Sequence, residues 1–185
     1  MLKNYKIKFL YFVCIIFFLI LLKGLLLDIR RVSGPSMEPA LRDGDYVIIF
    51  KAAYGIKHPL KNKYLIRRAL PKADDIIVYR KDGRFTVKRC LGIPQEPIEF
   101  YRKLGYNGSY DYSMKVSGKD IPLTAVQFDN LGGMIRGGKA MKEVSFIPAG
   151  TVLAVGDNLD ASRDSRDYGF VLVDGIYGKV FIWEK

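Results

Sequence analysis

The chain has 185 residues, 49% of them hydrophobic, and carries 30 Lys and Arg against 19 Asp and Glu, a formal charge of +11. That length holds one domain of ordinary size plus one membrane segment and excludes two full cores. The charge favours anionic partners, lipid headgroups or nucleic acid, without choosing between them. One His and two Cys, with Cys14 inside an apolar run, exclude a structural zinc set and make a disulfide a poor prospect, so no metal and no cofactor is expected.

At the N-terminus Lys3, Lys6 and Lys8 precede FLYFVCIIFFLILLKGLLL, residues 9–27, a run broken only by Lys23. It is about as long as the roughly 20 helical residues that cross a bilayer core. Asp28, Arg30 and Arg31 follow where a removable leader would carry a small-residue cleavage site. The expectation is a tail at 1–8 and one uncleaved transmembrane anchor at 9–27; the competing reading is a buried core helix. The three lysines favour a cytoplasmic N-terminus, and the two arginines on the other flank pull against it.

Beyond residue 31 the pattern becomes short runs of alternating or β-branched residues. DYVIIF (45–50), DIIVYR (75–80), RFTVKRCL (84–91), PIEFY (97–101), TVLAVGD (151–157) and GIYGKVFIW (175–183) read as strands separated by Gly, Pro, Asp and Asn signals. With no comparable helical period after the anchor, a mostly β domain of antiparallel strands is expected over 28–185. Residues 102–145, rich in Gly, Lys and Tyr, read as an inserted hairpin or lid.

A hydrolytic serine needs a base, usually histidine. The single candidate, His58, sits in YGIKHPLKNKY and reads as an exposed loop residue. Lysine is the other option. In FTVKRCLG the strand period puts Thr86, Lys88 and Cys90 on one face and Val87, Arg89 and Leu91 on the other. An ordinary lysine, with a pKa of ~10.4, is no base at neutral pH, and burial must depress it by roughly two to three units. Taken alone, Lys88 reads as a solvated strand residue, and GDNLDASRDSRDYGFV, residues 156–171, as a surface turn with ion pairs.

The ordered segments SGPSMEPALRDGD, ADDIIVYRKDG, FTVKRCLGIP and GDNLDASRDSRDYGFV resemble the successive signatures of type I signal peptidase, a membrane-anchored Ser/Lys protease of exported preproteins. YGIKHPLKNKYLIRRALPKADDIIVY also resembles the long hairpin of Gram-negative members, and the likeness covers 33–94 and 148–183. It implies Ser36 as nucleophile, Lys88 as general base and Ser162 as the hydroxyl orienting that lysine. Asp164 and Arg166 match a supporting ion pair, and Gly34, Pro35 and Met37 fall in the loop at the oxyanion hole.

The chain departs from the family pattern in three places. Gly34 stands where many Gram-negative members have a serine, Asp74–Asp75 replaces a Gly–Asp turn, and GIPQEP follows the lysine strand instead of GLPGD.

What the resemblance implies is a single-pass enzyme with its catalytic domain on the outer face of a bacterial cytoplasmic membrane. It would cleave signal-peptide-bearing preproteins after small side chains. Its partners would be those preproteins and anionic phospholipid, with no nucleic acid, since an anchor stands where a DNA-reading helix would be. Residues 51–73 hold seven Lys and Arg, no acid, and interleaved apolar side chains, which suits lipid headgroups or a plain solvated face. The rival functions are a conjugative-transfer maturation peptidase with one dedicated substrate and a non-catalytic, membrane-anchored basic binding protein.

Overall fold

The structure is a computed structural model that describes residues 2–58, 64–105, 108–136 and 145–181, with the side chains of 2–6, 18–22, 135 and 136 outside that description. Helix α1 spans Leu2–Leu26 without a break, so the expected tail at 1–8 continues into the same helix. Phe9, Leu10, Tyr11, Phe12 and Phe17 on it are exposed, not buried against the domain. Among the described residues, no helix is long and apolar enough to cross a membrane. Leu27, expected as the last anchor residue, instead begins strand β1 (Leu27–Arg31).

The domain is mostly β and antiparallel. Its largest sheet is assembled from β1, β2 (Tyr46–Phe50), β5 (Ile76–Lys81), β6 (Arg84–Gly92), β11 (Thr151–Val155), β12 (Val171–Leu172) and β13 (Ile176–Phe181). They lie side by side in the order β1-β2-β13-β5-β6-β11-β12. Strands β3 (Gly55–Lys57) and β4 (Tyr64–Arg67) make a separate hairpin. The hairpin is tied back to the body by Lys57, which donates to the Asp174 carbonyl at 2.8 Å, and by an Arg67–Asp174 ion pair.

Residues 102–145 prove to be structure of their own. Strands β7 (Pro97–Leu104), β8 (Tyr110–Val116), β9 (Lys119–Leu123) and β10 (Ser145–Phe146) form a second sheet in the order β10-β7-β8-β9. Helix α2 (Ala125–Arg136) buries Phe128 and Leu131 against it. The helix starts at a reciprocal cap: Thr124 Oγ1 accepts from the Gln127 amide at 3.2 Å while Gln127 Oε1 accepts from the Thr124 amide at 3.1 Å. Residues 137–144 of the expected lid lie outside the described residues.

Three apolar clusters hold the parts together. One joins Leu91 and Leu153 of the large sheet to Ile98 and Met114 of the small one and Leu131 of α2. A second packs Ile77, Tyr79 and Cys90 under Val152 and Ile176. The third gathers Val32, Met37, Leu41, Val47, Val78 and Val180, and it fixes the loop that carries Ser36.

Candidate active site

The segment from Val32 to Leu41 leaves β1 as a loop that is apolar where it touches the domain and polar elsewhere. Met37 and Leu41 are buried in the third cluster, and the Leu41 amide donates to the Met37 carbonyl at 2.9 Å. Those contacts hold Ser36 half-buried between exposed Pro35 and buried Met37. Gly34 has φ +87°, a left-handed conformation that glycine adopts without strain, and its amide donates to Asp43 at 2.8 Å. Ser33 lines the same cleft as Ser36.

Lys88 enters from the middle of β6, paired across the sheet with Ile77. It is only 4% exposed, and its Nζ donates to Ser36 Oγ at 2.6 Å. Burial pulls its pKa below the ordinary lysine value; Asp164 and Asp157 push it up, and Arg166 adds to the lowering. Burial is the largest of these effects.

Behind the pair, β11 ends at Val155 and the chain turns through Gly156, Asp157 and Asn158. The Asn158 amide donates to the Ser36 carbonyl at 3.2 Å, so this turn grips the serine loop. A side chain at Gly156 would run into the Ser36 carbonyl and the Ser162 hydroxyl, which is why no other residue fits there.

Helix α3 (Ser165–Tyr168) is capped by Asp164, whose carboxylate has no exposed surface. That carboxylate accepts from the Gly156 amide at 2.9 Å, the Ser162 hydroxyl at 2.6 Å and Arg166 Nε at 3.0 Å. Arg166, 3% exposed, also donates to the carbonyls of Leu159 and Ser162. Asp164 and Arg166 form a buried ion pair, while the Ser162 hydroxyl proton goes to Asp164.

A further contact was invisible in the sequence: Arg89 donates through Nε and Nη2 to both carboxylate oxygens of Asp157, each at 2.7 Å. This fork locks β6 to the 156–158 turn and so fixes Lys88 against Ser36. Spacing offered no clue, since 68 residues separate its partners.

The cleft over Ser36 and Lys88 holds about 200 Å³; Val32, Met37, Val47, Ile49, Val78 and Val87 supply its apolar wall, and Arg30 and Arg31 line it as well. His58 does not line it. Among the described residues no cluster of His, Cys, Asp and Glu is fit to hold a metal ion.

The candidate site is thus a hydroxyl in contact with a buried amine, in a cleft of mixed apolar and basic lining on a β scaffold. Sequence comparison supplies the family: the model described as "Signal peptidase, peptidase S26" matches residues 5–183, and the chain belongs to that family. Signal peptidase I of Bacillus caldolyticus is 32% identical over 156 residues, covering 80% of this chain and 74% of that one. Signal peptidase I of Pseudomonas fluorescens is 26% identical over 197 residues, 91% of this chain and 69% of that one. A crystal structure of a signal peptidase I from Enterococcus faecalis V583 aligns over 59% of this chain and 95% of that one, with 23% identity and a TM-score of 0.36. The resemblance to type I signal peptidase is borne out by the family and sequence matches.

Proposed function

We propose that this chain is a membrane-bound serine endopeptidase that removes N-terminal signal peptides from exported preproteins, with Ser36 as nucleophile and Lys88 as general base. The observation that carries the reading is the 2.6 Å contact between Lys88 Nζ and Ser36 Oγ, made by an amine that burial holds toward its neutral form. Neutral Lys88 accepts the Ser36 proton as Oγ attacks the scissile carbonyl. The resulting ammonium returns that proton to the leaving amine, and an ester on Ser36 remains. Lys88 then takes a proton from water as its oxygen attacks the ester, and hands that proton to Ser36 Oγ as the ester bond breaks, which releases the signal peptide as a free acid and restores neutral Lys88.

The supporting residues divide the remaining work. Because the Ser162 hydroxyl donates to Asp164, its oxygen presents lone pairs that can orient an N–H of Lys88 without adding charge. The Gly34 amide is committed to Asp43 and Pro35 has no N–H, which leaves the Ser36 amide as the oxyanion donor nearest the reacting oxygen. Met37, Val47, Ile49 and Val78 fill the apolar wall of the cleft, which suits a small residue before the cut.

Membrane attachment rests on α1 and on the face beside its end. Ile29, Tyr46, Ile48 and Phe181 are 44–74% exposed and adjoin one another across β1, β2 and β13. On the β3–β4 hairpin, Ile56, Leu65 and Ile66 are exposed near Arg67 and Arg68, which suits an anionic headgroup layer; Lys61 and Lys63 of the same basic run lie outside the described residues. The catalytic domain then works on the outer face of the cytoplasmic membrane. Unchanged binding to anionic vesicles after charge reversal of Arg67 and Arg68 would remove the hairpin from this picture.

The direct test incubates the full chain with a panel of preproteins and sequences the product N-termini. One cut after a small residue, lost in Ser36→Ala, is the expected result. No cleavage of any preprotein, or cleavage surviving in Ser36→Ala, would sink the reading. Cleavage of one substrate alone would favour a dedicated maturation peptidase.

A further inference from the structure

The second sheet and its helix back the wall that carries Ser162. Gln127, half-buried in the first turn of α2, uses both ends of its side-chain amide. Oε1 accepts from the Thr124 amide at 3.1 Å, and Nε2 donates to Asp167 Oδ1 at 2.8 Å, across 40 residues of chain. The other oxygen of Asp167, Oδ2, accepts from the Asp164 backbone amide at 2.9 Å. The Asp164 carboxylate in turn holds the Ser162 hydroxyl at 2.6 Å and the Gly156 amide at 2.9 Å. Contacts therefore run from α2 through Asp167 and Asp164 to Ser162.

Helix α3 depends on such outside support. Its four residues make a single turn, too short to hold its own shape, so the groups around it set where Asp164 points. Apolar packing supplies part of this: Phe128 and Leu131 of α2 share a cluster with Val155, and Leu159 and Phe170, on either side of α3, pack against it. Met134 lies against Gly169, the C-cap of α3, and would meet any side chain placed there. Apolar contact is non-directional and leaves rotation free. The Gln127–Asp167 bond is directional, and it sets the turn of the carboxylate that caps α3.

We infer that Gln127 is a positioning residue for the reaction proposed at Ser36 and Lys88: it holds the cap of α3 from the second sheet and so aims the Ser162 hydroxyl. The inference rests on that proposed function, in which Ser162 orients Lys88. Ser162 Oγ and the Ser36 carbonyl both crowd the Gly156 position, so a turn of the Asp164 carboxylate reaches the serine loop as well. Helix α2 and its sheet then brace the site and do not close over it.

A cycle of variants separates this role from plain folding. Gln127→Glu keeps the oxygen that caps α2 and sets a carboxylate against Asp167, whereas Asp167→Asn sets two donors against each other. In Gln127→Glu/Asp167→Asn the bond re-forms with donor and acceptor exchanged, while the Asn oxygen still accepts from the Asp164 amide. Cleavage of one preprotein by the full chain in detergent micelles is measured well below the Tm of each variant. Each single variant is expected to lose about tenfold in kcat with KM nearly unchanged, and the double variant to return within about twofold of the unaltered chain. Exchange of the Gly156 amide, which Asp164 holds, should quicken in the single variants and slow again in the double. Gln127→Ala removes the bond without opposing charges and should show the same loss in kcat, which keeps the comparison should Gln127→Glu fail to fold. Unchanged kcat in Gln127→Glu and Gln127→Ala, a loss confined to KM, or a double variant no better than the singles overturns the inference. An unaltered chain that cuts no preprotein sinks the peptidase reading instead, and Gly156 exchange still reports whether Gln127 holds the wall.

Discussion

The Ser36 carbonyl accepts a hydrogen bond from the Asn158 amide at 3.2 Å, which ties the proposed nucleophile to the turn carrying Gly156, Asp157 and, further on, Ser162. Ser36 and Lys88 are 52 residues apart in the chain, and this turn is the part that touches both sides of their contact.

Gly156 is therefore a sensitive position. A Cβ there collides with the Ser36 carbonyl and with Ser162, and relief requires the serine loop to move. Gly156→Ala is expected to lower kcat/KM by ~10²-fold or more, since displacement of ~1 Å at a reacting group has about that effect. Overpacking should cost about 1–3 kcal/mol of stability. Full activity in this variant would show that the turn does not position Ser36.

Asp164 is the structural keystone of the other wall. Asp164→Ala strands Arg166, which is 3% exposed, and leaves the Gly156 amide and Ser162 hydroxyl without their acceptor. Removing one partner of a buried pair costs ~3–5 kcal/mol. Denaturant unfolding should show a loss of that size, against less than about 1 kcal/mol for removing an exposed pair such as Lys119–Asp74. Comparable losses at the two sites would refute the distinction.

These two positions illustrate what sequence reasoning reaches. Strands β2, β5, β6, β7, β11 and β13 were legible because each alternates or is β-branched between turn residues, and their observed bounds lie within three residues of the expected ones, with 182 and 183 of the last outside the described residues. Strand β1 was hidden because Asp28, Arg30 and Arg31 read as the polar flank of an apolar run, while β10 and β12 are two residues long and have no period. Helix α2 was missed because Gly132 and Gly133 dilute its helical signal, although the Thr124–Gln127 capping pair marked its start. Pairwise locks such as Arg89–Asp157 leave no local trace, so only motif resemblance suggested which serine and lysine belong together.

Lys88 carries a pH signature. Burial holds its pKa below the ordinary 10.5, so between the two values the unfolded chain binds more protons than the folded one. For this group stability rises as pH rises through that window, and the cost of burying a charged amine is fully present below it. Lys88→Met should therefore raise Tm most at neutral and acid pH, with the gain vanishing as pH approaches 10.5. Activity should rise with pH through an apparent pKa below that of a free lysine. A Tm difference between the two proteins that stays constant with pH would contradict the shift.

Ser33 tests the oxyanion assignment. If the Ser36 amide is the main donor, Ser33→Ala keeps kcat/KM within about tenfold, a change of less than ~1.4 kcal/mol. A larger loss would show that the Ser33 hydroxyl reaches the oxyanion.

The central claim is that Lys88, and not His58, serves as base for Ser36, and cleavage rates of one preprotein by four single variants test it most directly. Ser36→Ala and Lys88→Ala are expected to be inactive while still folded, and Lys88→Arg inactive as well, because a guanidinium does not give up its proton. His58→Ala should cut the preprotein at the same bond and at nearly the unaltered rate. The reverse pattern, with His58→Ala inactive and Lys88→Ala active, would contradict the account.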